Sequence, residues 1–555
     1  MISHYQSNLE NFLHWAKQQP NRIYLRQPIG DQYIDYSYSA AASEVKRIAQ
    51  FIQNNLKDRL KNVGILSKNS AHWMMADLAI AAAGGISVPF YATLTKDQLH
   101  QVLMHSECQI LIVGKLDHWD QIKDGIPDHI LLLHTPESSE KTGIQWSELL
   151  HLTKEIQTLP QPKPEDIATI VYTSGTTGMP KGVMITYGGI EAGINMARGI
   201  ALLDMPETRF ISYLPLCHIA ERNFVEFAAT AAGGTIYFVE NLETFSKNLA
   251  GARPTHFLAV PRIWAKFQEG ILQKIGGQKK LNLLLGIPLI NRLIQKKIQK
   301  GLGLDQSKLA VSGAAPITTE LLIWFQKLGI YIQEAYGMTE NMGLNAVMPR
   351  DQIKLGYVGR IHPDCETRID PTTQEIQMRA PYNSTGYFKE PVLTQELFTE
   401  DGWLKTGDQG KLDPEGFISI IGRVKDNFKT AKGHYVAPAP IENKLNTHEF
   451  IEQVCVVGVN LPQPIGLVVL SALGKSKDQG ELHKAFTELR QEVNPLLKNY
   501  EHLKKIVVVK EDWNIENECL TPTMKIKRPS IEKKYQAHFE AWYAHPETIV
   551  YELMD

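Results

Sequence analysis

The stretch Tyr172-Thr173-Ser174-Gly175-Thr176-Thr177-Gly178-Met179-Pro180-Lys181-Gly182 gathers three glycines, four Ser/Thr hydroxyls and a lysine within one loop. Such a loop can wrap phosphate: its backbone N–H groups form a concave nest, its hydroxyls donate, and the lysine adds charge. It is not a Walker A loop, which needs Gly, four residues, then Gly-Lys and Ser or Thr. Here two residues separate Gly178 from Lys181. The plainer reading is a flexible turn with a surface lysine, and the length of the constrained string weighs against it. The chain holds no Gly-x-Ser-x-Gly, no His-Glu-x-x-His and no Gly-x-Gly-x-x-Gly. Serine-hydrolase, zinc-protease and dinucleotide-oxidoreductase readings therefore lack support.

Six further strings follow in order. They are Tyr213-Leu214-Pro215-Leu216-Cys217-His218-Ile219-Ala220-Glu221-Arg222, Val311-Ser312-Gly313-Ala314-Ala315-Pro316, and Glu334-Ala335-Tyr336-Gly337-Met338-Thr339-Glu340. After them come Trp403-Leu404-Lys405-Thr406-Gly407-Asp408, the run Gly422 to Pro438, and Leu520-Thr521-Pro522-Thr523-Met524-Lys525. Taken singly each has an ordinary explanation. A lone His218 is a satisfied core residue, Thr339 caps a turn, and Lys525 is one surface lysine among many. Taken together with the phosphate loop, they resemble the adenylate-forming superfamily: acyl-CoA synthetases, the adenylation domains of peptide synthetases and beetle luciferases. The resemblance runs from about Leu9 to Lys534, and its details are those of long-chain members.

That resemblance implies roles. Thr173, Ser174, Gly175, Thr176, Thr177, Gly178 and Lys181 would close over the β- and γ-phosphates of ATP. Gly313, Ala314 and Ala315 would let adenine lie against backbone, where only small side chains permit a flat base to approach. Tyr336 would stack on that base and Gly337 would belong to the same nucleotide site. Thr339 would contact the α-phosphate, and Glu340 would hold Mg²⁺, which favours a carboxylate plus phosphate oxygens. Asp408 would take the ribose hydroxyls, with Arg423 on ribose or phosphate. His218 would sit where carboxylate and ATP meet. Amino-acid-activating relatives place an Asp near here, and none stands between Tyr213 and Ala220, which leans towards a simple acid. Val260-Pro261-Arg262-Ile263-Trp264 resembles a segment in which a tryptophan gates the acyl tunnel, plain core being the other reading of Trp264. Lys425 falls at the domain hinge. Gly433 matches the glycine of the loop lining the pantetheine tunnel, although many relatives have Gly where Lys432 stands. Lys525 aligns with the catalytic lysine.

The implied activity is a long-chain fatty acid–CoA ligase using ATP, Mg²⁺ and CoA, with adenylation of the acid followed by thioester formation. Its rivals are a ligase that passes the acyl group to a carrier protein and a catalytically silent nucleotide-binding scaffold. Glu340, Asp408 and Lys525 together weigh against the last.

The elements that must position these residues alternate between helix and strand patterns, the mark of an α/β architecture. Ser43–Asn55 is amphipathic at helical spacing, Val63–Leu66 reads as a buried strand, Ala71–Ala83 as a helix and Ile86–Pro89 as a strand. The phrase Ala82-Ala83-Gly84-Gly85 recurs as Ala231-Ala232-Gly233-Gly234. It suggests either two related subdomains or two ordinary glycine-ended αβ turns. The Pro-rich connector Leu159–Pro164 leads into a strand at Ile167–Tyr172. The expected organisation is a large N-terminal adenylate-forming domain of α/β subdomains over 1–422, and a small α+β C-terminal domain over 423–555. Strands are expected at Tyr331–Gln333, Gln453–Val459 and Lys505–Val509.

Composition bounds the rest. A chain of 555 residues, 43 % hydrophobic and 21 % charged, can bury several cores without disulfides. Lys plus Arg (58) against Asp plus Glu (60) leaves a net charge of −2, unlike a chain built mainly for nucleic acid. Five scattered cysteines have no metal or redox spacing, as in a reducing compartment. Met1–Gln19 has no uninterrupted apolar run of a signal peptide, and the expected location is cytoplasmic. The stretch 274–300 carries Lys274, Lys279, Lys280, Arg292, Lys296, Lys297 and Lys300 with no acidic residue. It reads either as a basic amphipathic helix lying on an anionic membrane face or as a solvated surface helix. Oligomeric state leaves no mark in the sequence.

Overall fold

The structure, a computed structural model, describes residues 7–57, 61–173, 180–288, 290–521 and 525–552. The phosphate-loop residues Ser174, Gly175, Thr176, Thr177 and Gly178, and Pro522–Met524 beside Lys525, lie outside the described residues.

Helix Tyr38–Asn55 begins where the Ser37 hydroxyl accepts the Ala40 N–H at 3.2 Å, and it buries Ala41, Val45, Ile48, Ala49 and Ile52 along one stripe. Its neighbour Ala71–Ala82 is buried nearly all round, and strand Asn62–Leu66 is buried at every position. A strand covered on both faces is what a parallel sheet between helices requires. That sheet has seven strands: Ile144–Gln145, Leu131–His134, Ile110–Val113, Asn62–Leu66, Ile86–Phe90, Ile167–Thr173 and Lys181–Thr186. All neighbours are parallel except the last pair, where Thr173 lies opposite Lys181.

A second sheet has thirteen strands among the described residues. Its parallel half runs Ile332–Tyr336, Leu309–Ser312, His256–Ala259, Arg209–Ser212, Thr235–Phe238 and Ile23–Ile29, with Gln32–Ser37 antiparallel at the edge. Its antiparallel half continues from Tyr336 through Ala346–Val347, Gly359–Ile361, Phe417–Arg423, Leu404–Leu412, Glu375–Arg379 and Glu366–Ile369. The two Ala-Ala-Gly-Gly phrases play the same part in different sheets. Gly84 (φ +75°) and Gly233 (φ +64°) end their helices in the left-handed region, and the next glycine closes a six-residue turn to Ile80 O or Ala229 O. Each then launches a parallel strand.

After residue 423 comes a hairpin, Phe428–Lys429 with Tyr435–Val436, and a mixed four-stranded sheet. The sheet is Ile451–Val457, Ile465–Leu470, Lys505–Val508 and Ile549–Tyr551, with helices Pro438–Leu445 and Gln479–Val493 among those packed on it. This is the expected α/β architecture with a smaller α+β unit. Strand ends move by one to three residues: Ile332–Tyr336 begins after Tyr331 and runs on into the site. The basic stretch departs more from expectation. It is the end of helix Pro261–Ile275 followed by two helices, Gln278–Leu285 and Ile290–Leu302, and not one. Gly276 and Gly277 (φ +92° and +99°) stop the first, and Gly286-Ile287-Pro288 stops the second. All five cysteines are free and buried, and no helix among the described residues is long and apolar enough to cross a membrane.

Candidate active site

Four of the expected segments leave the C-terminal end of a strand. Thr173 ends Ile167–Thr173, and Tyr213–His218 follows Arg209–Ser212. Gly313–Pro316 follows Leu309–Ser312, and Gly337–Glu340 follows Ile332–Tyr336. Open α/β sheets bind ligands in this crevice. The backbone there is shaped for close approach. Ala314 has φ +67°, a left-handed conformation an alanine rarely adopts. A Cβ on Gly313 would stand 3.1 Å from Ala335 O. Gly337 is small for a different reason, since its Cβ would meet the Gly343 backbone at 2.2 Å. Its glycine is explained by chain packing.

Two antiparallel strands supply the next group. Asp408 and Arg423 are register partners on Leu404–Leu412 and Phe417–Arg423. Arg423 Nε meets Asp408 Oδ1 at 2.9 Å, and the Tyr336 hydroxyl donates to Asp408 Oδ2 at 2.7 Å. Burial raises the Asp408 carboxyl; Arg423, the Tyr336 hydroxyl and Lys525 oppose that rise. Tyr336 is itself pushed well up by burial, then by Asp408, so its hydroxyl stays a donor. Gly407 (φ +72°) makes the turn, its N–H donating to Glu375 Oε1 at 2.7 Å.

His218 is held on a braced loop. Asn69 donates to Ser212 Oγ and Leu214 O and accepts from Leu216 N, at 2.8, 2.6 and 3.1 Å. Glu221 Oε1 accepts the Tyr213 N–H at 2.8 Å. The His218 ring accepts the Ala220 N–H on Nδ1 at 3.2 Å, which leaves the proton on Nε2. Burial, then the Lys525 charge, pulls His218 down to about 3. At neutral pH it is an uncharged donor. Glu221 is pushed up to about 8 by burial and is a protonated acid at neutral pH.

Lys525 arrives from the C-terminal unit. Thr521 and Lys525 close a tight loop, with Thr521 N donating to Lys525 O at 2.8 Å and Lys525 N to Thr521 Oγ1 at 3.0 Å. The ammonium is pulled down by desolvation, then by Arg423, while Asp408 and Glu340 push it up. One lysine thus senses His218, Glu340 and Asp408 of the N-terminal unit, and Arg423 at the junction. Thr339 and Glu340 form a short turn with Asn341, both 8 % exposed.

The remaining expected residues lie further out. Lys425 is exposed on the short helix Val424–Asp426, and Asn427 Nδ2 donates across to Gln409 Oε1 at 2.9 Å. Gly433 (φ +84°) makes an exposed turn between the two hairpin strands. Trp264 is fully buried, packed edge-on against Phe257, Phe267 and Phe325, with its indole N–H unpartnered. A gating role would require it to swing away from three rings.

Three participants escaped the sequence reading. Asn69 and Glu221 brace the histidine loop, and Tyr387 donates to Glu340 Oε1 at 2.6 Å. Glu221 stood inside a quoted string without a role; Asn69 and Tyr387 stood in none.

Residues 12–388 match the AMP-binding enzyme family, and residues 425–547 match the AMP-binding enzyme C-terminal domain. A long-chain-fatty-acid–CoA ligase, ACSBG2, from Xenopus laevis is 29 % identical over 93 % of this chain and 80 % of its own. Long-chain-fatty-acid–CoA ligase 5 from Rattus norvegicus is 32 % identical over 87 % of this chain and 80 % of its own. Among solved structures, the A-PCP didomain of a carboxylic acid reductase from Segniliparus rugosus in complex with AMP superposes with a TM-score of 0.80. It is 21 % identical and covers 98 % of this chain and 83 % of that one. The o-succinylbenzoate CoA synthetase of Bacillus subtilis gives a TM-score of 0.74 at 22 % identity, over 95 % and 98 % of the two chains. At these identities both show the fold.

Proposed function

The chain belongs to the AMP-binding enzyme family, the adenylate-forming enzymes its motifs resemble, and on that premise we propose that it is a long-chain fatty acid–CoA ligase. As an AMP-forming acid–thiol ligase it uses ATP to activate a carboxylate. The observation that carries the reading is the convergence of Lys525, from the C-terminal unit, on His218, Asp408, Arg423 and Glu340.

In the first half-reaction the fatty carboxylate attacks the α-phosphorus of ATP and pyrophosphate leaves. Catalysis here is placement plus charge neutralisation. Lys181 and the loop Thr173–Gly178 hold the outer phosphates, Thr339 and Lys525 meet the α-phosphate, and Asp408 and Arg423 hold the ribose. The neutral His218 Nε2–H donates to the carboxylate without competing for its charge. Gly313, Ala314 and Ala315 with Tyr336 enclose the base, Gly337 setting the chain beside it. Glu340 would hold Mg²⁺, which would offset phosphate charge. The residues fit that ion. Among the described residues no cluster of three His, Cys, Asp or Glu forms a protein-only metal cage. Mg²⁺ in nucleotide sites relies instead on one or two carboxylates and the substrate phosphates.

In the second half-reaction the C-terminal unit, residues 423–555, turns about Lys425 and withdraws Lys525. The turn brings the Gly433 hairpin to the site, and the CoA thiol displaces AMP. A few backbone angles absorb such a change. Trp264 borders the acyl chain.

The same reading includes a membrane contact. Helices Gln278–Leu285 and Ile290–Leu302 leave Leu283 67 % and Leu293 66 % exposed among six basic side chains of their own. Anionic lipid suits that mixture of charge and apolar surface. Sedimentation with phosphatidylglycerol vesicles but not phosphatidylcholine vesicles is expected, and equal recovery with both would leave the helices as a solvated face.

The decisive assay is AMP release from ATP and Mg²⁺ with acids from acetate to stearate, with and without CoA. Turnover on long chains that depends on CoA is expected. AMP formation indifferent to CoA would point to a carrier-protein acceptor, and ATP binding without turnover on any acid would leave a scaffold.

A further inference from the structure

Tyr387 touches both charged partners of the outer phosphates at once. Its hydroxyl donates to Glu340 Oε1 at 2.6 Å, and its ring centroid lies 5.0 Å from Lys181 Nζ. Cation–π attraction holds an ammonium at such a distance without cancelling its charge. Among the described residues Lys181 has no carboxylate ion pair. Tyr387 is 8 % exposed, and a phenol keeps its proton at neutral pH, so the hydroxyl is a donor.

The backbone fixes this placement. Residues 385–388 lie antiparallel beside Lys181–Thr186, with Tyr387 and Val183 forming an isolated bridge. Met184 N donates to Gly386 O at 2.9 Å, Thr385 N to Met184 O at 3.2 Å, and Phe388 N to Gly182 O at 2.8 Å. Ser384 N donates to Glu340 O at 2.7 Å, so one segment ties the exit of the phosphate loop to the carboxylate turn. Gly386 has φ +119°, and a Cβ there would meet Thr394 Cγ2 at 2.3 Å. Thr394 Oγ1 in turn accepts the Tyr387 N–H at 2.9 Å.

We propose that Tyr387 is a positioning residue that keeps Lys181 and Glu340 apart while aiming both at the polyphosphate. A lysine and a glutamate converging on one half-buried site gain Coulomb energy by pairing directly. That pair would remove the cation that phosphate needs and the carboxylate that a metal needs. The ring occupies the ammonium, and the hydroxyl fixes one carboxylate oxygen and leaves the other free to bind. The inference rests on the adenylation reading, and it concerns only the step in which pyrophosphate is present.

The test compares Tyr387→Phe with Tyr387→Leu in the full-length protein. ATP binding is measured by calorimetry with and without Mg²⁺ and without any acid, so the readout survives even if no acid is turned over. Phe keeps the ring and loses the hydroxyl. It is expected to lower the Mg²⁺ enhancement of ATP affinity by about tenfold, the usual weight of a hydrogen bond to a charged group, with the metal-free affinity unchanged. Leu loses both contacts and is expected to lower the metal-free affinity as well. In Tyr387→Leu, adding Lys181→Met should cost less than it does in the parent, because the lysine is already neutralised. Thioester formation from supplied acyl-adenylate should be retained by both. The proposal is overturned if Phe leaves the Mg²⁺ enhancement intact, or if both variants lose ATP affinity and thioester formation in step with a lower melting temperature. Failure of the adenylation reading would look different: the parent would bind ATP and release no AMP.

Discussion

Two clusters of buried charge, one around Arg222 and one around Asp408, serve opposite ends. Arg222 is 1 % exposed and saturated: it meets Asp77 at 2.7 Å, Glu226 at 2.8 Å and the Thr169 hydroxyl at 2.6 Å. Trp73 and Phe227 cover its faces. Burial drives the Glu226 carboxyl up, and the Arg222 charge opposes that rise. The cluster at Asp408 is left unfinished. Arg423 is half exposed, His218 is kept neutral, and the lysine comes from the other unit. Charge that holds architecture is closed off within one unit. The charge proposed to handle a substrate is left with spare donors and is assembled from two.

The largest expected effect breaks the open cluster. Lys525→Ala should slow pyrophosphate-forming adenylation by about a thousandfold, the weight of a well-placed cation on a transition state. Thioester formation from supplied acyl-adenylate should persist. Pyrophosphate exchange and CoA-dependent AMP release measure the two steps separately, and an equal loss in both would remove Lys525 from its assigned role.

Breaking the closed cluster should give a different signature. Arg222→Met leaves two buried carboxylates without their cation, which costs about 3–5 kcal/mol of stability. Urea unfolding would show the loss. Both half-reactions should fall together, in proportion to the folded fraction. A variant of native stability with only adenylation impaired would place Arg222 in the catalytic group and erase the contrast.

The same contrast governs what the sequence disclosed. Open-cluster residues were legible because they sit in strings whose chemistry is written locally, as with Thr339 beside Glu340 and Asp408 after a glycine turn. Their strands were legible too, since Val63–Leu66 and Ile167–Tyr172 are apolar runs bounded by turns. Tyr387, Asn69 and Asp77 were not, because their partners lie 47, 143 and 145 residues away in the chain (Glu340, Ser212 and Arg222). No period or spacing encodes such a contact. The break at Gly286-Ile287-Pro288 was visible as letters, yet the continuous basic pattern around it suggested one helix. Here turn chemistry outweighed charge periodicity.

Glu221 sits beside Arg222 in the chain and has the most specific expected effect, one confined to a pH window. Its carboxyl is fully buried, accepts the Tyr213 N–H, and titrates near 8 in the fold against about 4.5 as its ordinary value. The fold therefore keeps a proton that the unfolded chain gives up between these values. The stabilising contribution is complete below about pH 4.5 and is lost as pH rises towards 8, at up to about 1.4 kcal/mol per pH unit. Glu221→Gln keeps an acceptor for Tyr213 and cannot ionise. Its stability relative to the parent should rise with pH across that window and level off above it. The check is urea unfolding of both proteins from pH 5 to 9. Parallel curves would mean that Glu221 is ionised in the fold, and the loop carrying His218 would then be braced by a charge like those around Arg222 rather than by a neutral acid.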